Sequence, residues 1–288
     1  VSEALRVFEA QRPRLLRIAY RMLGTWRDAE DVVQEAWLRF SRVELAGVRE
    51  PEAFLVRTVT RLAIDALRAA KVRRADYVGP WLPEPVVGPA APAPDEMVAL
   101  GEELSLAFLL LLERLTPHER AVFLLRQSFD LAFAEIAEVV GKSEAACRQL
   151  DRRARLKLKG APPARPAADD AHGRLLASFL AAARDGDLER LTRLLSADVV
   201  AHNDGGGVVT AALRPIGGAD KVARMMIGLA RRDPGTTLEW RTVNGRPGVL
   251  FTLDGRPFAV LALEVEEERI RRVFLLVNPQ KLERVASA

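Results

Sequence analysis

Phe133–Lys159 reads FAEIAEVVGKSEAACRQLDRRARLKLK, two short runs of helical apolar spacing around a Gly-Lys-Ser turn. The spacing predicts a first helix over Phe133–Val140, with Ile136, Ala137 and Val140 on one face. Gly141 tolerates a left-handed backbone, and the Ser143 hydroxyl can cap the helix that follows. The second helix is predicted from Glu144 to about Leu158, with Cys147, Leu150, Ala154 and Leu158 in one buried stripe. Its opposite face carries Arg148, Gln149, Arg152, Arg153, Arg155, Lys157 and Lys159. A tight turn and a capped helix with an apolar back and a basic front are the parts of a helix-turn-helix, whose second helix enters the DNA major groove. The plainer alternative is a solvated amphipathic helix in an ordinary bundle. The turn, the cap and the one-sided charge together favour DNA.

The whole chain has 288 residues, enough for two or three domains. It is 49% hydrophobic and 28% charged, which is ordinary globular material. The 43 basic residues are nearly offset by 39 acidic ones, so charge matters through where it clusters. A single cysteine, Cys147, allows no internal disulfide and suits a reducing cytoplasm. It reads as a small core residue. The N-terminal residues Glu3, Arg6, Glu9 and Arg12 leave no apolar signal core, and the run Leu104–Leu112 is too short to span a bilayer. No membrane association is expected. His118, His172 and His202 are scattered singly, so no metal site is expected.

Residues 1–75 read as helices only. Pro13–Leu23 is apolar-periodic and stops at Gly24-Thr25. Asp28–Arg42 opens on Asp28, Glu30 and Asp31, where the helix dipole favours acids, and carries Val32, Val33, Ala36, Trp37 and Phe40 on one face. After a loop around Gly47, Pro51 starts a helix to about Arg74 that ends in basic residues. Residues 77–96 are expected to hold neither helix nor sheet because of their prolines. Yet Tyr77, Trp81 and Leu82 sit among those prolines, which suggests an extended segment that docks. Thr116-Pro117-His118-Glu119 is a capping box with Pro at the first helical position. Ala161–Pro166 is a second proline-rich linker. From residue 170 the class changes. Helices at about His172–Arg184, Asp187–Leu195 and Gly218–Arg231 accompany strands at about 199–203, 237–243, 248–253, 257–266 and 269–277. Asn244-Gly245 and Asp254-Gly255 are type I′ hairpin turns. Helices with an antiparallel meander imply an α+β domain with a curved sheet.

The stretch Asp28–Phe40 (DAEDVVQEAWLRF) resembles the polymerase-gripping helix of domain 2 in extracytoplasmic-function (ECF) sigma factors. Phe54–Arg68 (FLVRTVTRLAIDALR) resembles that family's reader of the −10 element, and Leu115–Leu158 its domain 4, the −35 reader. Three further motifs are similar to marks of the SigJ-like subgroup, which carries a C-terminal SnoaL-like extension of the NTF2-like fold. They are Tyr77-Val-Gly-Pro-Trp-Leu-Pro-Glu-Pro85, Asn203-Asp-Gly-Gly-Gly207 and Asn278-Pro-Gln-Lys-Leu282. The chain departs from many ECF factors in having Arg61 where they have Asn.

The resemblance implies a multidomain chain: an all-α domain 2 over residues 1–76, a linker over 77–97 and an all-α helix-turn-helix domain 4 over 98–160. A second linker over 161–169 leads to an α+β SnoaL/NTF2-like cone over 170–288. It implies a cytoplasmic, non-enzymatic transcription initiation factor whose partners are core RNA polymerase, through its beta and beta-prime subunits, and promoter DNA. No cofactor is implied, and no separate anti-sigma factor is required. Base readout at −35 is expected from Arg148, Gln149 and Arg152, and phosphate contacts from Arg153, Arg155, Lys157 and Lys159. The −10 surface is expected around Arg57, Arg61, Arg68, Lys71, Arg73 and Arg74, beside the loop Glu44–Glu50. Polymerase contacts are expected from Asp28, Glu30, Asp31, Gln34, Glu35 and Trp37. A regulatory contact is expected among Trp81, Leu82, Pro83, Glu84 and Pro85, Asp204, Gly205, Gly206 and Gly207, and Asn278, Pro279, Lys281 and Leu282. It leaves room for a small ligand in the cone. The competing class is a DNA-targeted SnoaL-like cyclase or isomerase using His202 and Asp204 as an acid/base pair.

Overall fold

The computed structural model describes residues 3–44, 47–88, 105–159, 169–232 and 235–285. The proline-rich run beyond Gly88 and the second linker, Ala161–Pro166, lie outside them, as do residues 45 and 46 of the loop Glu44–Glu50. Among the described residues the helices, in chain order, are α1 Glu3–Leu23, α2 Trp26–Phe40, α3 Pro51–Ala75, α4 Leu106–Leu112, α5 Pro117–Gln127, α6 Phe133–Val140, α7 Glu144–Leu158, α8 Asp169–Asp185, α9 Leu188–Leu194, α10 Ala219–Ala230 and α11 Pro279–Leu282. The strands are β1 Val87–Gly88, β2 Leu195–Asp204, β3 Ile216–Gly217, β4 Thr237–Val243, β5 Arg246–Leu253, β6 Arg256–Glu266 and β7 Arg269–Leu276. They fall into two compact units: Val1–Asp76 with Leu111–Ala161, and Tyr77–Leu110 with Pro162–Ala288.

The first unit is all helix. Leu15, Ile18 and Leu23 of α1, Val33, Ala36 and Phe40 of α2, and Leu55, Val59 and Leu67 of α3 are buried in its core. The apolar spacing of each helix therefore faces inward, as its period demands. Helix α1 begins ten residues before Pro13 and runs through it. The prolyl ring removes one backbone hydrogen bond, but the turn before it is anchored by Phe8, which is buried and lies 4.9 Å from the Trp37 ring. The α5 start is the expected capping box: the Thr116 hydroxyl accepts from the Glu119 amide and the Glu119 carboxylate from the Thr116 amide.

The second unit is built on a seven-stranded sheet in the order β1-β4-β5-β6-β7-β2-β3. Neighbours are antiparallel except β2 and β7, which pair in parallel. Alternation along the strands gives the sheet two apolar faces. One, with Val199, Ala201, Val249, Leu261 and Val273, packs against α8, α9 and α10, from which Phe179 joins it. The other includes Leu250, Val260, Phe274 and Leu276, and is covered by Leu82, Leu106, Ala107 and Leu282. Asn244-Gly245 and Asp254-Gly255 have positive φ at both positions, the type I′ signature. Glu267-Glu268 makes a third such turn without glycine, at φ 49° and 60°.

Two expectations are corrected. The Tyr77–Pro85 segment is followed by a strand, not by irregular chain: Val87 and Gly88 pair with Val243 and Thr242 at the sheet edge. This pair is free of proline, and Asn244 holds it by donating its amide to the Val86 carbonyl and accepting the Val86 amide. Strand β2 also starts at Leu195, before the expected 199. A register shift between Leu195 and Val200 interrupts the apolar alternation by which a strand is recognised.

Candidate nucleic-acid interface and linker clamp

Helix α7 is set by its turn. Gly141 adopts φ 68°, and the Ser143 hydroxyl accepts from the Ala146 amide at 3.2 Å. Cys147 and Ala154 are fully buried, and Leu150 and Leu158 half-buried. Burial raises the Cys147 thiol above its ordinary value, in keeping with a core residue. The charged back position Asp151 is also buried, its carboxylate accepting from Arg155 Nε at 2.7 Å. Along the exposed face, Arg148 pairs with Glu144 at 2.6 Å and lies over the Phe133 ring. Lys157 pairs with Glu119 at 2.6 Å. Gln149, Arg152 and Arg153 are exposed and make no hydrogen bond or ion pair among the described residues. Lys159 is exposed as well.

The −10 candidates on α3 behave differently. Arg61 donates through Nε and Nη2 to the carbonyls of Val139 and Glu138, each at 2.9 Å. Lys71 donates to the carbonyls of Glu113 and Leu115, at 3.2 and 2.5 Å. Arg74 pairs with Glu113 at 2.7 Å and donates to the Leu23 carbonyl at 2.7 Å. Arg68 bonds Asp65 and approaches His118 Nδ1 at 3.4 Å. Arg57 lies over the Phe54 ring, and Arg73 is exposed. Three of these cations thus sit on carbonyls at or just past helix C-termini, where the last carbonyls lack helical partners and the dipole favours positive charge. Two further residues of this cluster, Glu113 and Arg120, carry no local sequence signal. Arg120 is fully buried, donating to the Arg21 carbonyl and pairing with Glu113 at 2.5 Å. Burial pushes the Glu113 carboxyl up, but Arg120 and Arg74 outweigh it and hold the group below its ordinary value. Burial lowers Lys71, and Arg120, Arg74 and Lys157 add to this against Glu113.

On α2, Asp31 and Gln34 are exposed. Asp28 accepts from the Thr25 hydroxyl at 2.5 Å, Glu30 accepts from Trp26 Nε1 at 3.1 Å, and Glu35 pairs with Arg39. Trp37 packs on Phe8.

The second unit brings the three subgroup motifs together at one carboxylate. Asp204, at the end of β2, is fully buried. Its Oδ1 accepts from the Tyr77 hydroxyl at 2.5 Å and the Gly206 amide at 3.0 Å. Its Oδ2 accepts from the Leu82 amide at 2.8 Å and Lys281 Nζ at 2.6 Å. Lys281 also donates to the Leu82 carbonyl at 2.5 Å and lies over the rings of Trp81 and Tyr77. Asn278 donates to the Tyr77 hydroxyl at 2.9 Å and caps α11 by accepting from the Gln280 amide. Leu82, Pro83, Glu84 and Pro85 are all buried. Gly206 has φ 63°, and a Cβ there would lie 2.3 Å from Asn278 Nδ2. A Cβ on Gly205 would lie 2.4 Å from the Val209 carbonyl, and one on Gly207 3.0 Å from Val78. Glycine is required because other chain lies against each position. Pro279 opens α11, and Leu282 is buried beside Leu82 in the apolar cover of the sheet. Tyr77, quoted in the linker motif but not expected at the contact, is a central donor. An aromatic hydroxyl among prolines was the available signal.

His202 and Asp204 share the sheet face opposite α8–α10, but they form no acid/base pair. Asp204 is saturated by its four donors. His202 stacks on Phe274, and burial, with Arg272 adding, lowers it to about 4, so the ring is neutral at pH 7. Among the described residues no group of three or more His, Cys, Asp or Glu could hold a metal ion, and no helix is long and apolar enough to cross a membrane.

Family models for Sigma-70 region 2 and Sigma-70 region 4 match residues 7–73 and 105–158. The chain is 41% identical to the ECF RNA polymerase sigma factor SigJ of Mycobacterium tuberculosis, over 95% of this chain and 91% of that one. It is 32% identical to the probable ECF RNA polymerase sigma factor SigI of the same species, over 96% and 93%. The crystal structure of M. tuberculosis SigJ superposes with a TM-score of 0.77 at 36% identity, covering 96% of this chain and 98% of that one. The chain belongs to the ECF RNA polymerase sigma factors and is an alternative sigma factor that directs transcription initiation.

Proposed function

We propose that α7 reads the −35 element through Arg148, Gln149 and Arg152, with Arg153, Arg155, Lys157 and Lys159 on flanking phosphates. The observation that carries this is the exposed row Gln149, Arg152 and Arg153, free of internal partners on a helix held by a capped turn. Exposed polar groups that the fold does not use are available to base edges and phosphates. The face of α2 around Asp31, Gln34 and Glu35 contacts core polymerase, and the chain works with it in the cytoplasm. Relatives that are sigma factors and not enzymes, together with the saturated Asp204, favour a regulatory second unit over a catalytic one.

Regulation takes two forms in this reading. Arg61, Lys71 and Arg74 are engaged by residues 113–139, so the −10 surface of the free chain is withheld until polymerase binding releases it. The clamp at Asp204 fixes the Tyr77–Pro85 linker and so constrains how the promoter readers are spaced. The decisive experiment is run-off transcription with core polymerase on promoters selected from a random library. Wild-type chain should select paired −35 and −10 elements. Arg152→Ala should relax one −35 position at a cost of about 1–3 kcal/mol. Unchanged −35 preference in Arg152→Ala and Arg148→Ala would show that α7 is not the reader. Truncation after Val277, which removes Asn278 and Lys281, should change promoter output, and equal output would remove the clamp from regulation.

A further inference from the structure

The sheet face that packs on α8–α10 opens at one end into a cavity of about 640 Å³, within the range of small-molecule sites. Its wall is mostly apolar: Ile216, Met225, Leu229, Phe258, Leu275 and Leu282. The polar side chains in the lining are Asn203, Thr210 and Arg232. Thr210 and Arg232 are exposed, whereas Asn203 is 3% exposed. Its Nδ2 reaches only the Met225 sulfur at 3.6 Å, and its Oδ1 has no hydrogen-bond partner. A buried amide left open in an apolar wall is a polar group placed for something outside the chain. A hydroxyl fits it best, because it can donate to Oδ1 and would accept equally well from the amide nitrogen. The lining holds no carboxylate, histidine or cysteine, so it offers binding groups and no acid or base.

We propose that this cavity binds a small, largely apolar molecule carrying one hydroxyl, held at Asn203, and that its occupancy biases the linker clamp. The second part rests on the regulatory reading above; the first does not. Linkage follows from shared structure. Asn203 precedes Asp204 on β2, while Val277, Pro279 and Leu282 in the wall flank Asn278 and Lys281 in the clamp. A ligand that prefers one arrangement of this wall shifts the other site by the same factor.

The test is equilibrium binding of 1-naphthol to the full chain, with naphthalene as the hydroxyl-free control. The wild-type chain is expected to take up 1-naphthol at one site. Asn203→Leu is expected to weaken it about tenfold or more while naphthalene binding holds or improves. Leu229→Trp, at a position exposed enough to leave folding intact, should block both probes. No uptake of either probe, or equal loss of both in Asn203→Leu with an unchanged far-ultraviolet spectrum, overturns the site. The linkage arm compares 1-naphthol affinity in the wild type and Lys281→Met. A shift of about threefold or more supports coupling, and equal affinities overturn it. These readouts do not involve transcription, so they fail or succeed separately from the promoter assignments.

Discussion

Two carboxylates organise the two units, and they are surrounded differently. Asp204 is fully buried and meets one cation, Lys281, with neutral donors from Tyr77, Leu82 and Gly206 completing its shell. Glu113 meets Arg74 and Arg120, while Lys71 and Arg61 along the same helical surface rest on backbone carbonyls. In the first, one carboxylate is filled by four donors. The second sets three cations, Arg74, Arg120 and Lys71, around one carboxylate. A filled, glycine-fitted joint has nothing to gain from another partner. A cation held only by carbonyl dipoles can exchange them for a phosphate, which carries full charge. The Asp204 cluster is therefore a joint within its own unit, and on the proposed reading the α3 cluster is an exchangeable contact.

The largest expected effect tests the joint. Asp204→Ala removes a carboxylate that pairs with the buried Lys281 ammonium at 2.6 Å and strands the Tyr77, Leu82 and Gly206 donors that share it. Breaking a buried pair from one side costs about 3–5 kcal/mol. Urea denaturation of the full chain should show it as loss of the second unit's transition. A loss under about 1 kcal/mol would place Asp204 among ordinary surface pairs and end the contrast.

Glu113→Gln comes next, at about 2–3 kcal/mol, since the amide keeps its shape and some hydrogen bonding but not its charge. This effect is pH-dependent, with a definite sign. The folded-state carboxyl titrates below its ordinary value of 4.5, so its stabilisation is complete above that value and is lost as pH falls through the lower folded value. Stability curves of wild type and Glu113→Gln should therefore run parallel above pH 4.5 and converge below it. Convergence on raising the pH instead would mean that burial, not Arg120 and Arg74, governs the group.

The two clusters were unequally legible in the sequence. The clamp motifs are contiguous: glycines in a run, a Trp among prolines, and an Asn-Pro helix start each announce a tight local structure. Only their meeting point required the fold. The turn and buried stripe of α7 were likewise local, and its ends at Glu144 and Leu158 fall where the apolar spacing puts them. By contrast, nothing near Arg120 marks it for full burial. An arginine in an amphipathic helix reads as surface, and the Arg21 carbonyl that receives it lies 99 positions away. Long-range side-chain to backbone bonds leave no periodicity. The same limit hid the partners of Arg61, Lys71 and Arg74, which sequence reading could place only as a basic stripe. The resemblance left room for a ligand in the cone, but the open Asn203 amide in its wall was not legible, because it depends on which neighbours a side chain lacks.

Arg61→Ala probes the exchangeable contact. Two charge-assisted bonds to the end of α6 are lost, one part-buried at Val139 and one exposed at Glu138, so the cost should be about 1–2 kcal/mol. Amide exchange at Gly141 and Lys142, whose amides close the α6 end on the Ala137 carbonyl, should quicken correspondingly. If this contact withholds the −10 surface, the substitution also makes the free chain more accessible there. Unchanged exchange at the α6 end would mean that Arg61 rests on α6 without holding it.

Arg153→Ala should have the smallest effect on the fold, within about 0.5 kcal/mol, because the exposed guanidinium has no partner among the described residues. On the proposed reading its effect belongs to DNA. A phosphate contact releases counterions without reading sequence, so affinity of the polymerase-bound chain should fall alike for matched and mismatched −35 elements. The slope of log affinity against log salt should decrease by about one. Arg155→Ala is the internal control. Arg155 already pairs with Asp151, so part of its charge is spent within the helix and its share of the salt slope should be smaller. Equal slopes for the two variants would show that the Asp151 pair opens on DNA, and that exchangeable contacts extend from α3 into the reading helix itself.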